Sequence, residues 1–365
     1  MNVTKQQLYN RQTILSEFGE KGQQKLQEAE IAIVGCGGLG SIAAVYLAAS
    51  GVGKIHLIDF DIVDVSNLHR QVFYKIDDIG ESKAKVLADH IKSISPFVDT
   101  SSSEQPITKT NIFEQLDEFE LVVDCTDSLP TKYLLNDFCV ITDTVLVYGS
   151  LYKHDGYVAS FNVMDKLTRS ANLRDAFPKM PQQAIPNCSE VGTLNPIVGI
   201  IGLMQANEVI KIITQTGQPL TNQLLIFNSL DNSQLKMKLK VDKACDNVGK
   251  RGILKIFKNE DYTDASCEIQ EDEFLISAET LKQKIGSKKI EIISVIEDIN
   301  TKLPFEVLEK IPLSKFNVDN IKIDLNKDYI IICKKGITSY TVTKDLKVKY
   351  PDINVYSLKN GVDKY

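Results

Sequence analysis

Short apolar runs alternate with amphipathic stretches over the first two-thirds of the chain. Ile31–Val34 and Lys54–Asp59 have the composition of buried strands, and Ser41–Ser50 between them has the spacing of a helix. The same alternation continues with a predicted helix at Ser82–Ile94 and a predicted strand at Leu121–Asp124. Alternating strands and helices predict a parallel sheet that is covered by helices on both faces.

The pattern changes character after the next helix and strand, near Lys132–Thr142 and Val145–Tyr148. Gly156–Val163 is predicted to be an antiparallel strand, so we expect an α/β fold with a Rossmann-like, mostly parallel sheet and an antiparallel extension. The predicted elements that close this unit are a polar loop at Pro178–Pro196, a helix at Ile197–Thr214 and paired strands at Leu224–Ser229 and Gln234–Lys240.

Periodicity lapses after this unit, which we assign to residues 1–242. Charges, Gly and Asp accumulate over residues 243–270, which is typical of a linker. Apolar periodicity returns in residues 271–365 and predicts a second, small α/β domain. A chain of 365 residues is long enough for two domains of ordinary size.

Composition and charge narrow the class of partner and the compartment. A net charge of −6 gives no electrostatic reason to expect nucleic acid or an anionic membrane as the main partner. The apolar stretch Pro196–Met204 is too short to span a bilayer, and the N-terminus has no apolar core typical of a signal peptide. The seven cysteines form no CxxC pair, which fits a reducing cytoplasm rather than a disulfide framework.

The segment from Ile31 to Gly40 is the sharpest local signal. A buried strand leads into a turn with glycines at positions 35, 37, 38 and 40, and the turn opens a helix. Such a turn lets a phosphate chain approach the backbone, and the helix N-terminus supplies N–H groups and positive potential. Asp59, which ends the next strand, is placed to hold ribose hydroxyls. By itself this pattern fits NAD, FAD or ATP.

Charged residues that follow favour a nucleotidyl transferase. Arg70 and Lys83 could neutralise a triphosphate, although either alone is more often a solvated surface charge. Asp127 lies just beyond the carboxyl end of a predicted strand, where open parallel sheets bind ligands. It is therefore a candidate Mg²⁺ ligand, and the N-cap of the following helix is an equally good explanation from local sequence.

Five segments together resemble the ThiF/MoeB/HesA adenylyltransferases, bacterial relatives of ubiquitin-activating enzymes. The resemblance covers roughly residues 5–240 in consistent order and spacing. The segments are Asn10–Gln12, Gly35–Ser41, Asp59–Gln71, Gly80–Ala84 and Cys125–Ser128.

The resemblance implies that ATP and Mg²⁺ are the cofactors. It places Asp59 on the ribose, Arg70 and Lys83 on the phosphates, and Asp127 near the metal. The implied nucleotide contacts are Gly35, Gly37, Gly38, Gly40, Asp59, Asp61, Asn67, Arg70, Gln71 and Lys83.

The resemblance also implies an acceptor and an assembly. The expected acceptor is a ubiquitin-fold sulfur carrier that ends in Gly-Gly, whose C-terminal carboxylate is adenylylated. The arginine that matches Arg11 reaches the active site of the other subunit in the family, so a homodimer is expected. A C-terminal carboxylate is already ionised at neutral pH, so we assign no general base.

Two features bear on cysteine chemistry in this first unit. Many relatives bind structural Zn²⁺ through two CxxC pairs, but Lys166–Asn172 has no cysteine here and Lys243–Val248 has only Cys245. Tetrahedral zinc needs four ligands, so we predict no zinc. Cys188 matches the family's crossover-loop cysteine, and it is either a nucleophile toward the acyl-adenylate or an incidental loop residue.

The C-terminal unit resembles rhodanese-like sulfurtransferases. Asp328–Ser339 is a buried strand followed by a loop and a helix, and Cys333 in this loop is predicted to have a lowered pKa and to carry a persulfide. A cysteine desulfurase would then be a suitable persulfide donor. Ser294–Ile296 and Lys310–Leu313 replace polar motifs of that family, so the domain is either active at Cys333 or a degenerate domain retained for structure or docking.

Other functions remain open at this point. Within the same chemistry, the acceptor could be a peptide or a carboxylate on tRNA. From other classes, the chain could be an NAD-dependent oxidoreductase or a binding module without catalysis. The combination of Arg70, Lys83 and Asp127 favours the adenylyltransferase over both, because neither of those needs several charges around one cleft.

Overall fold

The computed structural model describes residues 3–165, 168–181, 192–241, 250–262, 272–287, 289–321 and 323–365. The chain forms two compact units, the first comprising Met1–Met180 and Thr193–Tyr262. The described part of the C-terminal unit runs from residue 272 to Tyr365.

Eight strands form the sheet of the first unit, in the order β10-β9-β6-β5-β4-β1-β2-β3. The five strands from β3 to β5 are mutually parallel, and the three beyond β5 are antiparallel. This confirms the predicted α/β class with a mostly parallel sheet and an antiparallel extension. The strands are β1 (Glu30–Val34), β2 (Lys54–Ile58), β3 (Asp99–Ser103), β4 (Leu121–Asp124), β5 (Val145–Tyr152), β6 (Asp155–Phe161), β9 (Gln223–Asn228) and β10 (Gln234–Lys238), with the short hairpin β7 (Met164–Asp165) and β8 (Thr168–Arg169) outside this sheet.

Helices cover both faces of the sheet. Ile31 and Ile33 of β1 pack on one face with α3, α4 and α8, whereas Ala32 and Val34 pack on the other with α5 and α6. Successive residues of a strand point to opposite faces, so both sets are apolar in a central strand. The helices are α1 (Lys5–Thr13), α2 (Gly19–Glu28), α3 (Gly38–Ser50), α4 (Lys83–Ile94), α5 (Ile112–Leu116), α6 (Leu129–Thr142), α7 (Leu173–Ala176), α8 (Asn195–Thr214) and α9 (Lys250–Asn259).

Helix α8 is long and apolar enough to span a bilayer by length and composition, yet half of its most apolar window is buried within the protein. Two polar side chains on it are hydrogen-bonded inside the unit. Gln205 donates to the carbonyl oxygen of Asp124 at 2.8 Å, and Glu208 accepts from the Ser160 hydroxyl at 2.7 Å. Buried polar groups with protein partners are typical of a core helix, so α8 belongs to the sheet-packing layer.

The C-terminal unit has its own parallel sheet, in the order β11-β15-β14-β12-β13. Its central strand β14 is buried over Tyr329–Ile332 and leads to Cys333. A second, small α/β unit is therefore confirmed. Its strands are β11 (Leu275–Ile276), β12 (Ile290–Ser294), β13 (Glu309–Lys310), β14 (Asp328–Ile332) and β15 (Asn354–Leu358), and its helices are α10 (Ala278–Lys284) and α11 (Ile337–Lys349).

Part of the segment predicted as a linker is helical. Helix α9 packs Phe257 into the core beneath α6, and Tyr262 just beyond it is also buried there. The Tyr262 hydroxyl donates to Asp137 Oδ2 at 2.6 Å, beside the ion pair that Asp137 forms with Arg174. Residues 250–262 are thus part of the first unit, although their charged sequence suggested a connection.

The Arg174–Asp137 pair yields the first prediction. The two side chains are 2% and 0% exposed, so Arg174→Ala leaves a buried carboxylate without its cation. We expect the free energy of unfolding to fall by about 3–5 kcal/mol, measured by urea unfolding and circular dichroism. Lys250→Ala is the control, because its pair with Asp143 is exposed and should contribute at most about 1 kcal/mol. Equal losses in the two variants would contradict this assignment.

Candidate nucleotide-binding site

Strand β1 lies between β2 and β4, and the chain order reverses between β1 and β4. At this switch point the loops that follow neighbouring strands diverge and leave a crevice at the carboxyl edge of the sheet. Backbone hydrogen bonds hold the start of each loop against the neighbouring strand. Gly35 N–H donates to Ile58 O at 2.8 Å, and Cys125 N–H donates to Val34 O at 2.9 Å.

Two glycines allow the close packing of this crevice. Gly35 has φ +92°, and a Cβ on it would lie 2.7 Å from the Cys125 carbonyl oxygen. A Cβ on Gly40, in the first turn of α3, would lie 1.7 Å from the Gly35 carbonyl oxygen. Both positions exclude any side chain, so the glycines of the predicted motif bring strand, loop and helix into backbone contact.

The N-terminus of α3 faces this loop, and its N-cap residue Gly37 has no side chain to accept from the first N–H groups. Beside it lies Gln71, which is 3% exposed. Gln71 Nε2 is 3.5 Å from the position that a Cβ on Gly37 would take, and Gln71 Oε1 has no hydrogen-bond partner. A buried acceptor without a partner is unusual and fits a donor on a bound molecule. The N–H groups and positive potential at the N-terminus of α3, beside Gln71, fit a phosphate of the same molecule.

Asp59, just after β2, is fixed by two backbone donors. Its Oδ2 accepts from Cys36 N–H at 2.6 Å, and its Oδ1 accepts from Asp61 N–H at 2.8 Å. Burial raises the pKa of Asp59 to about 6, although the charge of Lys83 opposes that rise. The side chain is therefore held beside the glycine loop, where the predicted ribose contact requires it.

Lys83 begins α4 and is 5% exposed. Its Nζ lies 2.8 Å from Asp61 Oδ2, so this cation is paired rather than free. The hydroxyl of buried Tyr74 joins the same region to the glycine loop, donating to Cys36 O at 2.6 Å and to Lys83 O at 3.3 Å. The structure thus brings Asp59, Asp61 and Lys83 together next to the loop.

The two predicted arginines differ in their surroundings. Arg70 is half-buried, and its guanidinium donates to the Ser66 carbonyl oxygen at 2.9 Å. Asn67, one turn earlier, is buried. Arg11 is exposed near the end of α1.

Asp127 is exposed in the loop between β4 and α6. The N-cap of α6 is the next residue, Ser128, whose hydroxyl accepts from Thr131 N–H at 3.2 Å. The explanation of Asp127 as the helix N-cap is therefore wrong. The Asp127 carboxylate therefore lies at the carboxyl edge of the sheet without a capping role. Proteins commonly bind Mg²⁺ through one or two such carboxylates together with substrate phosphates.

A buried ion pair that the sequence pattern did not reveal also lies at this edge. Lys132 Nζ lies 3.1 Å from Asp124 Oδ2, with the two side chains 3% and 0% exposed. Burial by itself would lower the pKa of Lys132, but the charge of Asp124 and its hydrogen bond, together with Tyr148 and Cys125, raise that pKa overall. The available signal was an acid at a strand end and a lysine eight residues later, inside the predicted helix.

In the C-terminal unit, Cys333 is 4% exposed at the end of β14. Its Sγ accepts from Gly336 N–H at 3.1 Å and from Ser339 N–H at 3.4 Å, and Ser339 Oγ lies 3.2 Å away. Gly336 has φ +81°, and a Cβ on it would lie 2.8 Å from the nitrogen atoms of Asn360 and Gly361. The loop therefore wraps the sulfur with donors, which suits an anionic sulfur species.

The remaining cysteines fall into two groups. Cys36, Cys125 and Cys139 are buried, as expected of packing residues. Cys188, Cys245 and Cys267 lie outside the described residues. Within the described part of the chain, His, Cys, Asp and Glu side chains form no group of three or more that could hold a metal ion, and the expectation that zinc is absent stays a prediction from sequence.

A glycine loop and a buried acid after the next strand, at the switch point of a doubly wound sheet, define a nucleotide-binding α/β protein. Comparison with known proteins gives the family. The ThiF family model matches residues 9–247, more than half of the chain, and the chain belongs to the ThiF family.

Named relatives share the enzyme class. The chain is 37% identical over 253 residues to the sulfur carrier protein adenylyltransferase of Thermus thermophilus, covering 68% of this chain and 93% of the relative. It is 30% identical over 376 aligned positions to the adenylyltransferase and sulfurtransferase MOCS3 of Drosophila grimshawi, covering 97% and 82%. In a match to the Caenorhabditis briggsae MOCS3 (38% identical), the chain spans 60% of the relative's length. The predicted family and the predicted adenylyltransferase class are confirmed.

Solved structures support the fold. Escherichia coli MccB is 22% identical, with a TM-score of 0.60 over 68% of this chain and 74% of MccB. At this identity the likeness shows a shared fold, which confirms the predicted architecture of the first unit.

The raised pKa of Asp59 yields the second prediction. A carboxyl whose pKa rises from 3.8 to about 6 on folding binds its proton more tightly in the folded state, so its contribution to stability is lost as pH rises through that range. Without nucleotide, we expect the unfolding free energy of the wild type to fall relative to Asp59→Asn by up to about 3 kcal/mol between about pH 4 and about pH 7.5. Urea unfolding across this range measures the difference, and a constant difference would contradict the shifted pKa.

Proposed function

We propose that this chain uses ATP and Mg²⁺ to adenylylate the C-terminal carboxylate of a ubiquitin-fold sulfur carrier protein that ends in Gly-Gly. The main support is the convergence of the glycine loop, Asp59 and the Asp127 loop at one edge of the sheet. The names of the relatives support the acceptor, since one is a sulfur carrier protein adenylyltransferase and another is a SAMP-activating enzyme E1 of Haloferax volcanii.

The reaction needs charge neutralisation rather than proton transfer. A carboxylate oxygen of the carrier attacks the α-phosphorus of ATP, the bond to the β-phosphate oxygen breaks, and pyrophosphate leaves with its electron pair. Two anions must approach each other, and negative charge grows on the leaving group. Arg70, Lys83 and Mg²⁺ beside Asp127 would stabilise that charge, while the N-terminus of α3 binds phosphate.

Lys83 needs only a small rearrangement for this role. Its partner Asp61 has a side chain that is 53% exposed, so the pair is open to solvent on one side. A phosphate oxygen that enters there would share the ammonium group with Asp61. The pair would keep Lys83 oriented toward the glycine loop before ATP binds.

We further propose a homodimer in which Arg11 completes the partner's site. Arg11 is exposed on α1, next to the exposed apolar residues Ile14 and Leu15. The segment that follows β2 also exposes apolar side chains, which an interface would cover. They are Phe60, Ile62, Val65, Val72, Ile76 and Ile79.

The C-terminal unit would supply sulfur. A persulfide donor, such as a cysteine desulfurase, would transfer its outer sulfur to Cys333 and keep the remaining thiol. The terminal sulfur of Cys333–S–S⁻ would then attack the acyl-adenylate carbonyl and displace AMP, and a thiol reductant would cleave the acyl disulfide to the thiocarboxylate. Hydrogen bonds from Gly336 and Ser339 to the sulfur support this role. The buried free thiols favour the reducing cytoplasm as its location.

ATP–pyrophosphate exchange tests the adenylylation step. With a panel of Gly-Gly-ending carriers, and with a peptide acceptor as a separate arm, we expect carrier-dependent exchange by the wild type. Asp127→Ala should reduce the rate by about 10²–10³, because a fixed group that stabilises the leaving charge is lost. Asp117→Ala removes an exposed carboxylate after α5 and should leave the rate unchanged. Full exchange by Asp127→Ala would overturn the metal-site assignment.

Thiocarboxylate formation tests the C-terminal unit separately. Cys333→Ser keeps the size of the side chain but cannot carry a persulfide. We expect normal ATP–pyrophosphate exchange and a loss of carrier thiocarboxylate, measured as the mass gain of the carrier in the presence of ATP, a persulfide donor and a thiol reductant. Cys139→Ser is the matched control, because Cys139 is a buried packing cysteine of the first unit. Thiocarboxylate at the wild-type yield from Cys333→Ser would show that the unit is not catalytic.

A further inference from the structure

The buried ion pair Asp124–Lys132 lies at the root of the loop that carries Asp127. Lys132 Nζ is within 3.2 Å of both carboxylate oxygens of Asp124, and both side chains are almost fully buried. Moving two charges out of water costs about as much as their attraction returns. A gain in stability is therefore a weak explanation for this ion pair. Its other contacts show which parts of the fold it connects.

Those contacts lead to the loop and to the next strand. Asp124 Oδ1 accepts from the Thr126 N–H at 3.0 Å and from the Thr126 hydroxyl at 2.8 Å. Lys132 Nζ donates to the Gly149 carbonyl oxygen of β5 at 2.6 Å and lies 4.8 Å from the centre of the Tyr148 ring. Lys132 thus connects α6 to the carboxyl end of β4 and to the middle of β5.

Asp127 lies between two anchored neighbours. On one side Thr126 is tied to Asp124, and on the other Ser128 accepts from the N–H of Thr131. Its own side chain is exposed. The backbone of this residue is fixed while its carboxylate is free to face a ligand, which is the arrangement a metal-binding acid needs.

We infer that Lys132 is a positioning residue, which acts through Asp124 and Thr126 to hold the Asp127 carboxylate where Mg²⁺-ATP binds. This inference rests on the proposed function for the role of Asp127, but the link from Lys132 to the loop does not depend on catalysis. The two parts can therefore be measured separately.

The first measurement is hydrogen–deuterium exchange of the free full-length protein over residues 125–128. The double variant Lys132→Met/Asp124→Leu removes both buried charges and keeps similar volumes, so it avoids an unpaired buried charge. We expect faster exchange at Thr126 and its neighbours than in the wild type. The control double variant Arg174→Met/Asp137→Leu removes another deeply buried pair of this unit and should leave residues 125–128 protected.

The second measurement is the Mg²⁺ concentration that gives half-maximal ATP–pyrophosphate exchange. Loss of a group that orients a metal ligand typically weakens metal binding about 10–100-fold, so we expect at least about a tenfold increase for Lys132→Met/Asp124→Leu. Thr126→Val, which loses only the hydroxyl contact with Asp124, should shift the Mg²⁺ dependence in the same direction, and Thr126→Ser should restore it. The Arg174→Met/Asp137→Leu control should keep the wild-type dependence even where its stability falls.

The outcomes separate the two claims. Unchanged protection of residues 125–128 in Lys132→Met/Asp124→Leu would overturn the positioning role, as would an unchanged Mg²⁺ dependence with activity reduced only in proportion to the folded fraction. An equal Mg²⁺ shift in the Arg174→Met/Asp137→Leu control would also overturn it, because the effect would then be general destabilisation. If the wild type exchanges no pyrophosphate with any acceptor while the loop is loosened as expected, the proposed function fails and the link from Lys132 to the loop stands.

Discussion

Backbone contact between the loops after β1 and β4 is the constraint on which the site depends. A Cβ on Gly40 would lie 1.7 Å from Gly35 O, and a Cβ on Gly35 would lie 2.7 Å from Cys125 O. Only glycine permits such distances, so the helix N-terminus, the first loop and the β4 loop share one surface. Because the sheet order reverses between these strands, that surface opens to a crevice rather than being covered by a crossover helix.

Two ion pairs of the same kind lie around this crevice, each between a lysine at the start of a helix and an acid at or after a strand end. Lys83 begins α4 and pairs with Asp61 after β2, and Lys132 in the first turn of α6 pairs with Asp124 at the end of β4. The N-terminus of a helix carries positive potential, so a lysine there is unfavourable without a nearby acid. In both cases the acid comes from the preceding strand end or its loop, so each ion pair joins a helix to the carboxyl edge of the sheet. The two ion pairs differ in solvent exposure: Asp61 is exposed, whereas Asp124 is fully buried.

Asp127 and Cys333 occupy similar places in their two units. Asp127 and Cys333 each follow a buried parallel strand and precede a helix, where loop residues are held by the strand below and the helix beyond. The difference lies in access. The Asp127 carboxylate is exposed, whereas the Cys333 sulfur is 4% exposed and surrounded by hydrogen-bond donors. In the proposed reaction, Asp127 needs access to a soluble Mg²⁺-nucleotide, and shielding would protect a persulfide on Cys333.

The sequence by itself determined the elements with strong apolar periodicity and the glycine motif, and from them the α/β class and the family. It failed for β3, since Asp99–Ser103 is polar and only Thr100 is buried, and for α9, whose buried Phe257 lies among charges. It also could not choose between the N-cap and metal explanations of Asp127, because both need the same residue type at the same place. The tertiary structure excludes the N-cap explanation, because Ser128 is the N-cap, and it alone reveals that Lys132 pairs with Asp124. The physical reason is that periodicity reports which residues face a core, whereas the partner of a buried charge depends on which strand ends the topology brings together.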